Sequence, residues 1–366
     1  KNLSDGKIRD LIEHLSTRKL GNKNYPADLM GDAYEILLKK FADDSKAQAG
    51  EFYTPRSVVN LLVRILDPQP GETVYDPACG SGGMLIEAIQ HMNHSSLCCG
   101  TIFGQEKNVV NSAIAKMNLF LHGASDFNIM QGDTLRSPKI LQNGEIAKFD
   151  CVIANPPFSL EKWGSTEWSS DKYGRNIWGT PSDSCGDYAW IQHMVKSMAP
   201  GNGRMAVVMP QGVLFRGNEE GRIREKLVKS DLVEAIVTLG DKLFYGTGLS
   251  PCFMILRRLK PAAHSARVLM IDGTKILTAK RAQNILSPED VDRLYELYCK
   301  YEDIEDFSKV VTIDDIAAKG YDLSPNKYVN YHKEEIRPYA EVLAEFKAAY
   351  EEVLKREAEF EKLINA

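Results

Sequence analysis

Several strings in this chain carry side chains that could do chemistry together. The run Val74-Tyr75-Asp76-Pro77-Ala78-Cys79-Gly80-Ser81-Gly82-Gly83 is glycine-rich and opens on an acid. Glycines there let a backbone turn tightly and approach a ligand closely. The spacing is not that of a dinucleotide fingerprint, and no phosphate-loop lysine follows. Asp76 places a carboxylate where it suits a ligand with a cationic amine. Glu106, in Phe103-Gly104-Gln105-Glu106, lies roughly two dozen residues on, close to the offset of about 20 at which an acid takes ribose hydroxyls. Asp133, in Gln131-Gly132-Asp133-Thr134, offers an acceptor for an adenine amino group.

Asn155-Pro156-Pro157-Phe158 is the fourth string. Two prolines fix the backbone and remove two amide donors. What remains is a set of carbonyl oxygens, the Asn155 amide oxygen and an aromatic ring. That set suits a planar base with an exocyclic amine: two acceptors hold the NH2 group and Phe158 stacks on the ring. Singly, each string has a plainer reading. A glycine-rich turn connects strand to helix, an acid at a strand end faces water, and Asn-Pro starts a turn. Three acids at three successive strand ends, followed by this turn, favour one ligand site.

The elements that must position these groups follow from periodicity. Stretches 73–75, 101–104, 127–130, 149–154, 205–209, 232–239 and 252–256 read as strands. Between them, 84–92, 109–121, 188–198 and 223–228 read as helices, and Val58, Val59, Leu62, Val63 and Leu66 form one helical face after Pro55. This alternation predicts an α/β fold with a mostly parallel sheet and flanking helices. Such a sheet binds ligands at the C-terminal ends of its strands, where these acids fall. Upstream, Ile8, Leu11, Ile12 and Leu15, then Leu29, Ala33, Ile36, Leu37 and Phe41, have helix spacing. Residues 159–186 hold Trp163, Trp168, Tyr173 and Trp178 among small polar residues, a length that marks a functional or disordered loop. Beyond about residue 260 the pattern weakens. Residues 337–366 read as a charged helix whose apolar stripe, Tyr339 to Ile364 with Glu357 interrupting it, fits either a partner helix or the chain's own domain.

Bulk properties exclude other classes. No apolar run is long enough for a membrane span, and the N-terminal stretch has no signal-peptide core. The seven cysteines have neither zinc nor disulfide-framework spacing, so no metal is expected and a reducing cytoplasm is the expected setting. The net charge of −5 sits awkwardly with a protein that grips DNA alone, because phosphate binding needs a basic face.

Asp76-Pro77-Ala78-Cys79-Gly80-Ser81-Gly82 followed by Asn155-Pro156-Pro157-Phe158 resembles the cofactor and catalytic motifs of amino-methylating DNA methyltransferases. Glu51-Phe52-Tyr53-Thr54-Pro55, just upstream, resembles the further cofactor motif of the gamma arrangement. The chain is most similar to the methylation subunit of type I restriction-modification systems. Gln105-Glu106-Lys107-Asn108, the run 208–215 and Gly320-Tyr321-Asp322-Leu323-Ser324-Pro325 also match, and the likeness runs from about Leu29 to Tyr328.

The resemblance implies a Rossmann-like class I methyltransferase fold over residues 49–330. Residues 1–48 would be the remainder of a longer N-terminal helical domain, since the chain opens on Lys1, and 331–366 a C-terminal helix whose stripe fits either a docking partner or the chain's own domain. It implies S-adenosylmethionine as cofactor, held by Glu51, Phe52, Tyr53, Thr54, Pro55 and Arg56, by Asp76, Cys79, Gly80, Ser81, Gly82 and Gly83, and by Glu106 and Asp133. Asn155, Pro156, Pro157 and Phe158 would act on a flipped adenine. The implied partners are DNA, a specificity subunit that reads the sequence, a restriction subunit and a second copy of the chain; a separate specificity subunit makes an acidic methylation subunit tolerable. Methylation of cytosine N4 or of a protein glutamine by similar strings, or a non-catalytic scaffold role, are the competing readings.

Overall fold

The computed structural model describes residues 5–17, 54–93, 100–124, 126–244, 250–280, 283–332 and 339–364. The chain divides into two compact units, Lys1–Asn330 and Tyr331–Ala366. In the first unit, α1 (Asp5–Ser16) is followed by α2 (Arg56–Leu66), β1 (Val74–Asp76), α3 (Gly83–Asn93), β2 (Ile102–Glu106), α4 (Val109–Leu121) and β3 (Phe127–Gln131). A small hairpin, β4 (Leu141–Gln142) and β5 (Glu145–Ile146), precedes β6 (Cys151–Ala154), α5 (Ser165–Trp168), α6 (Asp187–Ser197) and β7 (Arg204–Pro210). Then come α7 (Asn218–Lys229), β8 (Val233–Leu239), β9 (Pro251–Arg257), β10 (Arg267–Gly273), α8 (Pro288–Lys300), β11 (Ser308–Thr312) and α9 (Ile313–Ala318). The second unit holds α10 (Tyr339–Ile364).

Nine strands form one sheet in the order β11-β10-β8-β9-β7-β6-β1-β2-β3. From β3 to β7 every pairing is parallel. β9 enters antiparallel between β7 and β8, and β11 pairs antiparallel with β10. The chain builds outwards from β1 through β2 to β3, then returns to add β6 on the other side of β1. The gap between β1 and β6 is therefore the topological switch point, where open α/β sheets bind ligands beyond the strand ends.

Both faces of the sheet are buried, and alternation along each strand sorts the core into two layers. Val74, Cys151, Ile153, Ala206 and Val208 face one layer, which α2 and α3 cover. Tyr75, Val152, Ala154, Met205, Val207 and Met209 face the other, filled by Tyr188, Ile191 and Met194 of α6. Helix ends follow local rules. Asn108 accepts from the amides of Val110 (2.8 Å) and Asn111 (3.2 Å) and starts α4. Ser287 and Asp290 form a reciprocal capping box ahead of α8.

Two regions depart from the sequence expectation. Past residue 260, where the pattern weakens, the chain forms β10, α8, β11 and α9. Val268–Ile271 is a short buried apolar run, which periodicity alone does not assign. The tryptophan-rich stretch 159–186 is packed, with α5 inside it. Trp163 and Trp168 are core residues that meet edge to face, and the buried Arg175 guanidinium lies 4.5 Å over the Trp168 ring. Among the described residues no helix is long and apolar enough to cross a membrane.

Candidate active site

β1 delivers Asp76 and the glycine loop to the switch point. Asp76 is 2% exposed, and its Oδ1 accepts the Ala78 amide at 2.9 Å. Burial, opposed by that hydrogen bond and reinforced by the nearby Glu106 charge, pushes its carboxyl up to about 8. Gly80 sits at φ +52°, a left-handed conformation that glycine adopts without strain. Gly82 has φ +85°, and a Cβ added there would lie 3.5 Å from the Ala115 backbone of α4. A Cβ added at Gly80 or Gly83 would meet nothing within 4 Å among the described residues, which leaves room beside this flank of the loop.

β2 delivers Glu106 to the same loop. Its Oε2 accepts the Gly80 amide at 3.0 Å and its Oε1 the Asn108 amide at 2.7 Å. Cys79, buried beneath, has its thiol pushed up by burial and by the Asp76 and Glu106 charges, so it stays neutral and packs. Ser81 is held through its carbonyl by Asn118 Nδ2 at 3.1 Å. Asp133, just past β3, pairs with Lys107 Nζ at 3.0 Å and caps the turn through the Arg136 amide at 3.1 Å. As drawn, it braces the neighbouring loop while its side chain stays partly exposed.

β6 delivers Asn155 beside β1, on the strand paired with Val74 and Tyr75. Asn155 donates Nδ2 to Thr54 Oγ1 at 2.9 Å. Its Oδ1 is buried and has no hydrogen-bond partner among the described residues. A buried acceptor left unpaired costs about 1–3 kcal/mol, so this oxygen is poised for a donor from outside the chain. Pro156 is buried; Pro157 and Phe158 are half-buried, and the Phe158 ring lies 6.4 Å from that of Phe244. Thr54 and Pro55 stand at the head of α2, which Arg56 opens. Glu51, Phe52 and Tyr53 lie outside the described residues.

The geometry adds residues that sequence reasoning left without a role. Gln105, wholly buried, donates Nε2 to the carbonyls of Gly132 and Ser137 (both 3.1 Å) and accepts the Lys139 amide at 2.9 Å. It ties the turn carrying Asp133 to the end of β2. Thr134 Oγ1 donates to the Pro77 carbonyl at 2.6 Å, joining that turn to the glycine loop. Arg175 donates to the carbonyls of Thr134 and Leu135, both at 2.9 Å. Beside it, burial and the Arg175 charge hold His193 well below its usual range, and its neutral ring bonds the Tyr75 hydroxyl at 3.1 Å. A polar residue inside an apolar strand, as Gln105 is, was the available signal.

Asp76 makes the folded chain sensitive to pH. Its carboxyl is raised above its unfolded value, so the folded state holds the proton more tightly. The stabilisation is complete below about pH 4 and is lost as pH rises through about 8. Asp76→Asn should therefore flatten the fall of the melting temperature between those limits, a slope that differential scanning fluorimetry in a pH series reads. An unchanged slope in the variant would remove Asp76 as its source.

Comparison with known proteins bears on the family and the fold. Residues 26–336 match the N-6 DNA methylase family. The type I restriction enzyme MjaVII methylase subunit of Methanocaldococcus jannaschii is 36% identical over 82% of this chain and 53% of its own length. The HindI methylase subunit of Haemophilus influenzae is 31% identical over 91% of this chain and 76% of its own. The crystal structure of a type I restriction-modification methyltransferase subunit from Streptococcus thermophilus superposes with a TM-score of 0.77 at 30% identity, covering 85% of this chain and 66% of that one. The chain thus spans about half the length of the Methanocaldococcus relative. With its mostly parallel sheet and these relatives, the chain has the class I methyltransferase fold and belongs to the N-6 DNA methylase family.

Proposed function

We propose that this chain transfers a methyl group from S-adenosylmethionine to N6 of a flipped adenine in DNA, as the methylation subunit of a type I restriction-modification complex. The observation that carries the reading is Asn155 Oδ1, buried and unpaired among the described residues at the switch point, one strand from Asp76. The open flank at Gly80 and Gly83, with buried Asp76 behind it, fits the cofactor. Asp76 would face its amino-acid end and Glu106 its ribose, with Cys79, Ser81 and Gly82 shaping the turn. When bound, S-adenosylmethionine supplies an electrophilic methyl group on a positively charged sulfur.

The chain's own contribution is positioning and electrostatics. The adenine amine is a poor nucleophile because its lone pair is delocalised into the ring. Asn155 Oδ1 and the Pro156 carbonyl accept hydrogen bonds from that amine and favour tetrahedral character and positive charge at nitrogen. Pro157 stiffens the turn. Taking the base out of the duplex costs a few kcal/mol, and stacking on Phe158 offsets part of it.

The cofactor arm is tested by calorimetry. Glu106→Ala and Asp76→Ala should each weaken S-adenosylmethionine binding about 10- to 100-fold through lost charge-assisted hydrogen bonds. In the unsubstituted chain a cationic ligand favours ionised Asp76, so binding releases a proton. Affinity should then rise as much as about tenfold per pH unit and level off near pH 8. Unchanged affinity in both variants would take these residues out of the site.

The two relatives reported above are named as methylase subunits of type I restriction enzymes, which supports a complex with a specificity subunit, a restriction subunit and DNA; a second copy of the chain is proposed from the family resemblance alone. α10 supports a helical docking partner: Tyr339, Phe346, Tyr350 and Phe360 are exposed along one stripe.

A further inference from the structure

The turn that carries Phe158 ends on a residue under unusual constraint. Ser159 has φ +50°, a conformation that non-glycine residues hold only when the surroundings enforce it. Its amide donates to Asp187 Oδ1 at 2.7 Å. Asp187 is the first residue of α6 and wholly buried. Its second oxygen is paired with Arg216 Nη2 and accepts the Cys185 thiol at 3.3 Å. Arg216 is held in turn by buried Glu220 through Nε at 2.7 Å, and its Nη1 lies 3.5 Å from Ser159 Oγ. The same segment is laced twice more: the Gly186 amide donates to the Leu160 carbonyl at 3.0 Å and the Lys162 amide to the Asp183 carbonyl at 2.8 Å.

These contacts act on one peptide plane. Prolines 156 and 157 fix the backbone before Phe158. The Ser159 amide belongs to the peptide that follows Phe158, so its hydrogen bond to an immobile carboxylate sets ψ of Phe158. The backbone that carries the aromatic ring is then held from both sides, and Asn155 lies only three residues upstream. A carboxylate buried this deeply needs a charged partner. Arg216 is that partner, and Glu220 fixes where it lies.

We propose that Asp187 is a positioning residue for methyl transfer, which fixes the Phe158–Ser159 peptide and is itself oriented by Arg216. The proposal rests on the reading of Asn155–Phe158 as the base-binding turn. Neither Asp187 nor Arg216 needs to touch the base or the cofactor.

The test uses the full chain in complex with its specificity subunit. Asp187→Asn keeps the shape and one acceptor but loses the charge that orients it. Arg216→Lys keeps the charge but loses the planar fork, and it serves as second variant where Asp187→Asn does not fold. Each should lower kcat for DNA methylation about tenfold to a hundredfold, with S-adenosylmethionine affinity unchanged by calorimetry. The fluorescence of a 2-aminopurine target should report a less firmly held flipped base. A folded variant with wild-type kcat, or one whose cofactor affinity falls in proportion to kcat, overturns the proposal. The wild-type complex in the same assay separates this from failure of the functional reading, because only the latter abolishes methyl transfer to adenine in the unsubstituted protein.

Discussion

Replacing Asn155 by alanine should lower methyl transfer to DNA by about 10²- to 10³-fold, the cost seen when one pre-placed hydrogen-bonding group is removed from a reacting centre. The loss should fall on kcat. Asn155 touches the cofactor side through Thr54, while Asp76 and the Gly80 loop held by Glu106 stay in place, so cofactor affinity should fall far less than kcat. The side chain already donates to Thr54 and keeps its oxygen unpaired, so it is oriented before any base arrives. Asn155→Asp tests the same point differently, because a carboxylate accepts the amine's protons but cannot donate to Thr54 unless protonated. Phe158→Ala should lose activity by another route, failing to hold the flipped base. Single-turnover methylation, read beside 2-aminopurine fluorescence, separates the two. Wild-type turnover in Asn155→Ala would remove this residue from the chemistry.

The second large effect concerns DNA. The chain alone should bind duplex DNA weakly and without useful sequence preference at physiological salt, and a specificity subunit should raise discrimination by about 10³-fold or more. Non-specific affinity comes from neutralising phosphates, and this chain carries a net charge of −5. Trp163 and Trp168, in the stretch whose length reads as a functional or disordered loop, are 2% exposed and committed to the core, so they offer DNA no surface. The exposed stripe of α10, with Tyr339 at 79% and Phe346 at 66% exposure, is the surface suited to a partner helix. Gel shifts and methylation assays with and without the specificity subunit decide this. Tight, sequence-specific methylation by the isolated chain would make it self-sufficient.

What was legible in the sequence depended on how local the signal was. Helix α4 is read at its observed bounds, 109–121, because Asn108 is a strong cap and the apolar pattern begins at once. The β1 loop and the Asn155 turn are legible because glycine and proline leave few alternatives to the backbone. The order of strands at the far side of the sheet was not legible. β9 lies between β7 and β8 only because long-range pairing places it there, and a single-strand pattern does not encode its neighbour. The tryptophans of 159–186 are spaced irregularly, and the Trp168 ring lies under Arg175, whose carbonyl partners are about 40 residues away in sequence. Gln105 was in view as part of a familiar string, yet its role appears only when the turns after β2 and β3 meet. Asp187 and Arg216, 29 residues apart, meet only through the fold.

The central claim is the identity of the methylated atom. The wild-type chain, with its specificity subunit, is incubated with S-adenosylmethionine labelled in the methyl group and with duplex DNA. The DNA is then digested to nucleosides and separated, and the protein is counted in parallel. The account predicts label on N6-methyl-2′-deoxyadenosine, absent in Asn155→Ala. Label on N4-methylcytosine or on protein, with none on adenine, would contradict it.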